Sequence, residues 1–542
     1  MQCQHFGVWP NDLPHSLPPS RNSIFENLVA TARRNPERVA IKYYGKDLHY
    51  QELLNQVERL AGYLHDYAEI RDNDRVALYM QNAPQFVVSY YAILAANAVI
   101  VPINPMCKRA ELRHILQDSG ARAVVFGQDL SAEVAAVSNE CRNPALISTC
   151  YAEYTDPATD LPVPPIVRAT GPCNLGVPWS EALDLATPPP RHTRKPDDWC
   201  IIPYSSGTTG QPKGCLHTHA SVNATVNAYP SWVGVEDGAQ ILATLPFCHV
   251  TGMQHSMNLP VLTGSTIHLM ARGHAETAAT LIEQEGIEHW RSITTMMIDF
   301  LSLDGIERRD LSKLQAIGGG GAQMPESVAQ KMSDLIGLDY IEAYGLTETM
   351  APIHINPIHA PRKQCLGIPI FDVDSRILDP KTGTELGPNQ TGEIITQAPQ
   401  LFQGYWQRPE DTDAAFIDLE GKRFFRTGDI GYYDEQGYFY FTDRLKRMIN
   451  VSGLKVWPAE VEAILHSHPD ISEACIVGDA DPRTGETVRA VIVLSDEHSR
   501  LDFRSLENWC RENMAAYKVP RRFETRNSLP RSAAGKVLWK DL

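Results

Sequence analysis

Between residues 23 and 128 the chain alternates between runs with helical spacing and short runs of aliphatic, often β-branched residues. Tyr50–Tyr67 reads as a helix, Arg75-Val76-Ala77-Leu78-Tyr79 as a strand, Ala83–Ala96 as a helix and Val99-Ile100-Val101-Pro102 as a strand. The longest apolar run, Phe86 to Val101, is interrupted by Ser89 and Asn97 and stops at Pro102. It is too short to span a bilayer, so it predicts a buried helix turning into a strand. Strand–helix–strand alternation predicts α/β layering with parallel strands. The alternation pauses over 155–198, where prolines including Pro188-Pro189-Pro190 predict a long irregular connection, and resumes from Cys200 to about Tyr340. From Val373 to Phe441 short strands are separated by turns such as Asp379-Pro380-Lys381-Thr382-Gly383, a mainly β texture that suggests a distorted barrel or sandwich. Near residue 443 a compact α+β tail begins. Its helix opens with Pro458 and turns Val461, Ile464 and Leu465 to one face. Residues 1–20, rich in proline and polar side chains, predict an arm on the surface. The expected fold is α/β: a large N-terminal domain over 1–442, made of two α/β layered subdomains plus a distorted β-barrel, then a small α+β C-terminal domain.

Composition narrows the class. At roughly 150 residues per domain, 542 residues make three to four domain-sized units, and 43% hydrophobic with 21% charged residues is ordinary for a globular chain. The net charge of −16 argues against a general basic face for nucleic acid, leaving anion binding to local sites. Eleven cysteines without a C-x-x-C pair fit reduced thiols better than a disulfide framework or a structural zinc site. No signal peptide and no integral membrane segment are visible, so a cytoplasmic protein is expected. Nothing in the sequence fixes the oligomeric state, which leaves room for a homodimer.

The strongest chemical signal is Tyr204-Ser205-Ser206-Gly207-Thr208-Thr209-Gly210-Gln211-Pro212-Lys213-Gly214, with strand-like Ile201 and Ile202 before it and a helix expected near His219. Glycines let backbone N–H groups turn toward an anion, hydroxyls add donors and Lys213 adds a cation, which is a phosphate-cradling composition. It is not a P-loop of the G-x-x-x-x-G-K-[ST] type, because Pro212 stands five residues after Gly207 and Gly214 follows Lys213. No G-x-G-x-x-G opens a helix after a strand, which disfavours a dinucleotide oxidoreductase.

Further strings follow in order: Phe247-Cys248-His249, Gly319-Gly320-Gly321-Ala322, Ala343-Tyr344-Gly345-Leu346-Thr347-Glu348-Thr349, Arg426-Thr427-Gly428-Asp429, Asp443-Arg444-Leu445-Lys446-Arg447-Met448-Ile449 and Pro530-Arg531-Ser532-Ala533-Ala534-Gly535-Lys536. Together they resemble the adenylate-forming (AMP-binding) superfamily of acyl-CoA synthetases, aryl-CoA ligases, beetle luciferases and peptide-synthetase adenylation domains. The overall texture is similar to bacterial fatty-acyl-CoA ligases.

The resemblance implies roles. Ser205, Ser206, Gly207, Thr208, Thr209, Gly210 and Lys213 would cradle the β- and γ-phosphates of ATP, Thr347 would contact the α-phosphate and Glu348 would hold Mg²⁺. Gly320, Gly321 and Ala322 would let backbone approach adenine, with Gly345 nearby and Tyr344 supplying a stacking face. Asp429 would accept from the ribose hydroxyls, with Arg444 beside it, and Lys536 would bridge the carboxylate and the α-phosphate. The resemblance also implies a small domain that rotates after adenylation about a hinge at 443–446, with Lys446 at the pivot and Gly453 lining the path of coenzyme A. Asn450 departs from the lysine of luciferases and some aryl-CoA ligases. His249, Thr251, His255, Met297, Gly319 and Ala351 would line the acyl site, small residues at 319 and 351 leaving room for a bulky group. The implied activity is ATP-dependent ligation of a medium- or long-chain fatty acid to coenzyme A. The alternatives are an aryl- or hydroxyacyl-CoA ligase, or an adenylate enzyme loading a carrier in trans.

Overall fold

Ser23 caps the helix Ile24–Arg34 in a reciprocal box with Glu26, and the chain enters its core there, with Ile24, Leu28 and Ala32 buried. The computed structural model describes residues 4–141, 144–171, 173–185, 187–205, 212–321, 323–451, 454–481, 485–495, 501–531 and 537–542. Ser206, Gly207, Thr208, Thr209, Gly210, Ala322, Gly453 and Lys536 lie outside the described residues, as do the side chains of Lys446 and Asn450. The chain divides into two units, Met1–Asp374 with Gln397–Phe425 and Ser375–Thr396 with Arg426–Leu542. Residue 443 falls inside the second.

The first unit holds two nine-stranded sheets. In one, six strands run parallel in the order Tyr340–Leu346, Ala316–Gly320, His289–Arg291, Gln240–Ala243, Thr266–Leu269 and Val39–Tyr43. Antiparallel strands close its edges: Ala351–Ile355 and Ile368–Pro369 on one side, Lys46–His49 on the other. The other sheet has a parallel core of Ala145–Thr149, Ala123–Gly127, Arg75–Tyr79 and Val99–Ile103. Beyond these lies Trp199–Ile201, followed by the antiparallel Lys213–Thr218 and Gly404–Tyr405.

The long apolar run behaves as its pattern predicts. The helix Pro84–Ala95 and the strand Val99–Ile103 are buried at every position, and Asn97 turns between them at φ +59°. A strand covered on both faces by helices has no polar side, hence the unbroken hydrophobic string. No helix among the described residues is long and apolar enough to cross a membrane. Among its described residues the connection over 155–198 carries only short elements, such as Pro165–Arg168 and Trp179–Asp184. The N-terminal arm is anchored rather than merely superficial. Trp9 is buried, its ring edge-on to Trp232 at 4.8 Å and to Phe371 at 5.4 Å.

Strands Asp374–Leu378, Gly392–Gln397 and Lys422–Tyr433 neighbour one another, and Phe439–Arg444 pairs antiparallel with the last. Arg426-Thr427-Gly428-Asp429 lies inside this long strand, with Gly428 at φ +69°. In the C-terminal part, Ile449–Val451, Leu454–Val456, Ile471–Asp481 and Gly485–Leu494 pair antiparallel, and Arg522–Thr525 joins parallel. Helix Pro458–His466 contributes Val461 and Leu465 to the core of this sheet. The buried Asp443 carboxylate accepts the Ala459 N–H at 2.6 Å, in the first turn of that helix.

Candidate active site

Strand Tyr340–Leu346 reaches its carboxyl end and reverses through the 3-10 turn Thr347–Thr349 into Ala351–Ile355. The Thr349 hydroxyl ties the reversal together, accepting the Leu346 N–H and donating to the Ala351 carbonyl, both at 2.8 Å. Met350 and Ala351 follow at φ +48° and +82°, conformations that cost a residue with a Cβ roughly 1–3 kcal/mol each. His217 fastens the turn from beneath, its Nε2 donating to the Thr347 carbonyl at 2.9 Å. Burial lowers the His217 pKa to about 4, so this imidazole is neutral near pH 7.

Glu348 is 9% exposed, and the Tyr405 hydroxyl donates to its Oε1 at 3.0 Å. Burial, and then the charge on Glu348, push the Tyr405 phenol well above its ordinary pKa and keep it a donor. Lys213 Nζ stands 5.1 Å from the Tyr405 ring centroid and 2.9 Å from Asp411 Oδ2. Ser205 pairs with Lys213 across adjacent strands. Four residues singled out from distant strings, Ser205, Lys213, Thr347 and Glu348, thus meet at one corner. Tyr405, Asp411 and His217 join them unannounced by any string. Among the described residues no group of three or more His, Cys, Asp or Glu could hold a metal. One carboxylate, Glu348, would still fit Mg²⁺, which takes one or two carboxylates and completes its shell with phosphate oxygens and water.

Close packing explains the glycines. A Cβ on Gly320 would stand 2.2 Å from the Ala343 carbonyl oxygen, and one on Gly345 would stand 2.1 Å from that of Ala351. Gly321 is different, with φ +89° and open space around it. Tyr344 lies on the adjoining strand, its ring 5.4 Å from His354. In the second unit Asp429 and Arg444 face each other across paired strands, Arg444 Nε 2.5 Å from the fully buried Asp429 Oδ1.

The expected acyl residues also fall in the first unit. His249 precedes the short helix Val250–Met253, which carries Thr251, and its Nε2 is 3.1 Å from Asn104 Nδ2. His255 and Met297 are buried. The reading of Gly319 as spare room is corrected by its packing: a Cβ there would stand 2.0 Å from the Ser292 carbonyl oxygen and 2.6 Å from the Tyr340 hydroxyl. Ala351 is buried and belongs to the strained reversal after Thr349.

The AMP-binding enzyme family matches residues 28–406, and the AMP-binding enzyme C-terminal domain matches residues 460–536. A long-chain-fatty-acid–CoA ligase of Bacillus subtilis (strain 168) is 32% identical over 554 aligned positions, covering 98% of this chain and 96% of its own. A feruloyl-CoA synthase of Amycolatopsis sp. is also 32% identical, with 99% and 98% covered. Among solved structures, ATP-bound MatB from Rhodopseudomonas palustris shares the fold with a TM-score of 0.84 at 24% identity, over 96% of this chain and 98% of that one. The anthranilate CoA ligase AuaEII with anthranoyl-AMP gives 0.83 at 22%, over 98% and 97%. Matched by the first family over well more than half its length and by these relatives almost end to end, the chain belongs to the AMP-binding enzymes and is an AMP-forming acid–thiol ligase.

Proposed function

We propose that the protein activates a carboxylic acid with ATP as an acyl adenylate, releasing pyrophosphate, and then passes the acyl group to coenzyme A, releasing AMP. The observation that carries this reading is the corner where Glu348, Tyr405 and Lys213 stand beside Thr347. Attack of a carboxylate on the α-phosphate brings two anions together, so the site must neutralise both and hold them in line. Lys213 would exchange Asp411 for the β- and γ-phosphates, and the Thr347 hydroxyl would donate to the α-phosphate. Glu348, aimed by Tyr405, would hold Mg²⁺, whose charge would offset that of the phosphates. Asp429 with Arg444 would take the ribose, and Lys536 would bring its ammonium group to the carboxylate and the α-phosphate. Domain rotation about 443–446, with Gly453 along the coenzyme A path, would then serve thioester formation.

Buried Met253, Met257 and Met297 suit an adaptable apolar acyl group, and with the Bacillus subtilis relative they support a medium- or long-chain fatty acid. A second reading, an aryl- or hydroxyacyl acid, draws on the buried imidazole of His255 and on the feruloyl-CoA synthase relative at equal identity. The division of labour is tested by Lys536→Ala. The variant should lose acid-dependent pyrophosphate release by about 100-fold or more. It should still make thioester from synthetic acyl adenylate and coenzyme A. Equal loss in both half-reactions would refute the role given to Lys536.

A further inference from the structure

The acyl side holds a charge that an apolar pocket does not explain. Arg291 ends the strand His289–Arg291 in the middle of the parallel sheet, at the carboxyl edge where open α/β sheets take their ligands. It is 4% exposed, and its Nη2 is buried without a partner among the described residues. No carboxylate among the described residues pairs with it. Glu342, the buried carboxylate on the strand Tyr340–Leu346, is engaged elsewhere, accepting the Met324 N–H at 2.9 Å and the Cys365 N–H at 2.8 Å. The Arg291 guanidinium instead lies over Tyr229, its Cζ 4.8 Å from the ring centroid. Tyr229 also carries the His255 ring, centroids 4.0 Å apart.

His255 is presented by a π-helical turn, Gln254–Asn258, an irregularity that recurs at functional sites. Among the described residues its Nδ1 is likewise buried without a partner, as is the Ser292 hydroxyl next to Arg291 in sequence. Burial first, and then the charge on Arg291, hold the imidazole neutral, so it can donate or accept. A guanidinium cannot shed its proton to escape burial, and one aromatic face returns less than desolvation takes. Two orphaned polar groups from two elements, Arg291 Nη2 and His255 Nδ1, belong to side chains packed on one tyrosine and form a site that lacks its acceptor.

We propose that Arg291 and His255 recognise an oxygen acceptor on the acyl part of the substrate acid, a carboxylate above all, distinct from the carboxylate that is activated. This deepens the ligase reading and rests on it. The preferred acid then bears a second oxygen function, whether its body is an alkyl chain or a ring.

Matched acids test this: dodecanoate against dodecanedioate, and cinnamate against 4-carboxycinnamate and 4-hydroxycinnamate. Acid-dependent pyrophosphate release is measured as kcat/KM for the wild type, Arg291→Met and Arg291→Lys. The wild type should favour the oxygen-bearing member of at least one set by about 100-fold or more, because a buried donor left unpaired penalises the plain analogue. The preferred acid identifies the source of the oxygen. Arg291→Met should reduce that ratio below about 10-fold, while Arg291→Lys, which keeps the cation, should retain part of it. Melting temperature supplies the readout that a structural role would move: Arg291→Met should melt no lower than the wild type. Preference for the plain acids, a ratio that survives Arg291→Met, or a clear drop in its melting temperature would each overturn the proposal. Silence with every acid would instead sink the ligase reading.

Discussion

The Glu348 carboxylate is aimed by the hydroxyl of Tyr405, 57 positions along the chain. Removing the charge and removing the hydroxyl should therefore have graded effects. Glu348→Gln should lower kcat/KM for pyrophosphate release by about 100-fold or more, and Tyr405→Phe by about tenfold with a raised Mg²⁺ requirement, a carboxylate being worth more to a cation than the bond that orients it. Pyrophosphate release across a Mg²⁺ series checks both, and an unchanged Tyr405→Phe would remove the hydroxyl from the argument. At this scale the strings singled out Lys213, Thr347 and Glu348, and the fold brings these three to one corner. Tyr405, His217 and Arg291 were not legible, because what sets each apart is a contact that only the tertiary fold creates. An aromatic Gly404-Tyr405-Trp406 run was the nearest available signal for Tyr405. Gly319 misled, since a missing side chain in sequence can mean an empty space or a neighbour already filling it.

Among the elements, the reversal Thr347–Thr349 depends on one side chain at its base. Thr349→Val keeps the shape but leaves the buried Leu346 N–H and Ala351 carbonyl without that hydroxyl, which should cost about 1–3 kcal/mol. Thermal melting should show the loss, and pyrophosphate release should fall with it because Thr347 and Glu348 ride on the same turn. A variant that melts and reacts like the wild type would show that the strained pair Met350–Ala351 holds itself. Periodicity located the helix Tyr50–Asp66 and the strand Arg75–Tyr79 almost to the residue. Composition missed the anchoring of Trp9, whose partners Trp232 and Phe371 lie far along the chain.

Over the whole molecule, buried histidines make stability depend on acidity. Burial lowers the pKa of His217 and His289 from 6.5 to about 4, and that of His219 and His354 to about 3. The unfolded chain takes up these protons near pH 6.5 while the native state refuses them, so stability is fully present above 6.5 and is lost progressively as pH falls toward 4. The melting temperature should fall by about 5 °C or more between pH 7.5 and 5. A flat profile over that interval would mean these rings are not held neutral. The layered α/β fold was readable in advance, because parallel strands covered on both faces write unbroken hydrophobic strings. The meeting of strings more than a hundred residues apart was not, because crossover connections, not local sequence, bring strand ends side by side.

The run Gly318-Gly319-Gly320 has a further consequence for how such a protein can diverge. Each missing methyl group would meet a main-chain oxygen at 2.3 Å or less, from Ile341, Ser292 and Ala343 in turn. Backbone cannot step aside as a side chain can, so this floor is closed to mutation. Under the acyl site proposed above, new tastes in acid would be acquired at Tyr229, His255, Arg291 and Met297, and lineages built on this scaffold should differ there while keeping these glycines.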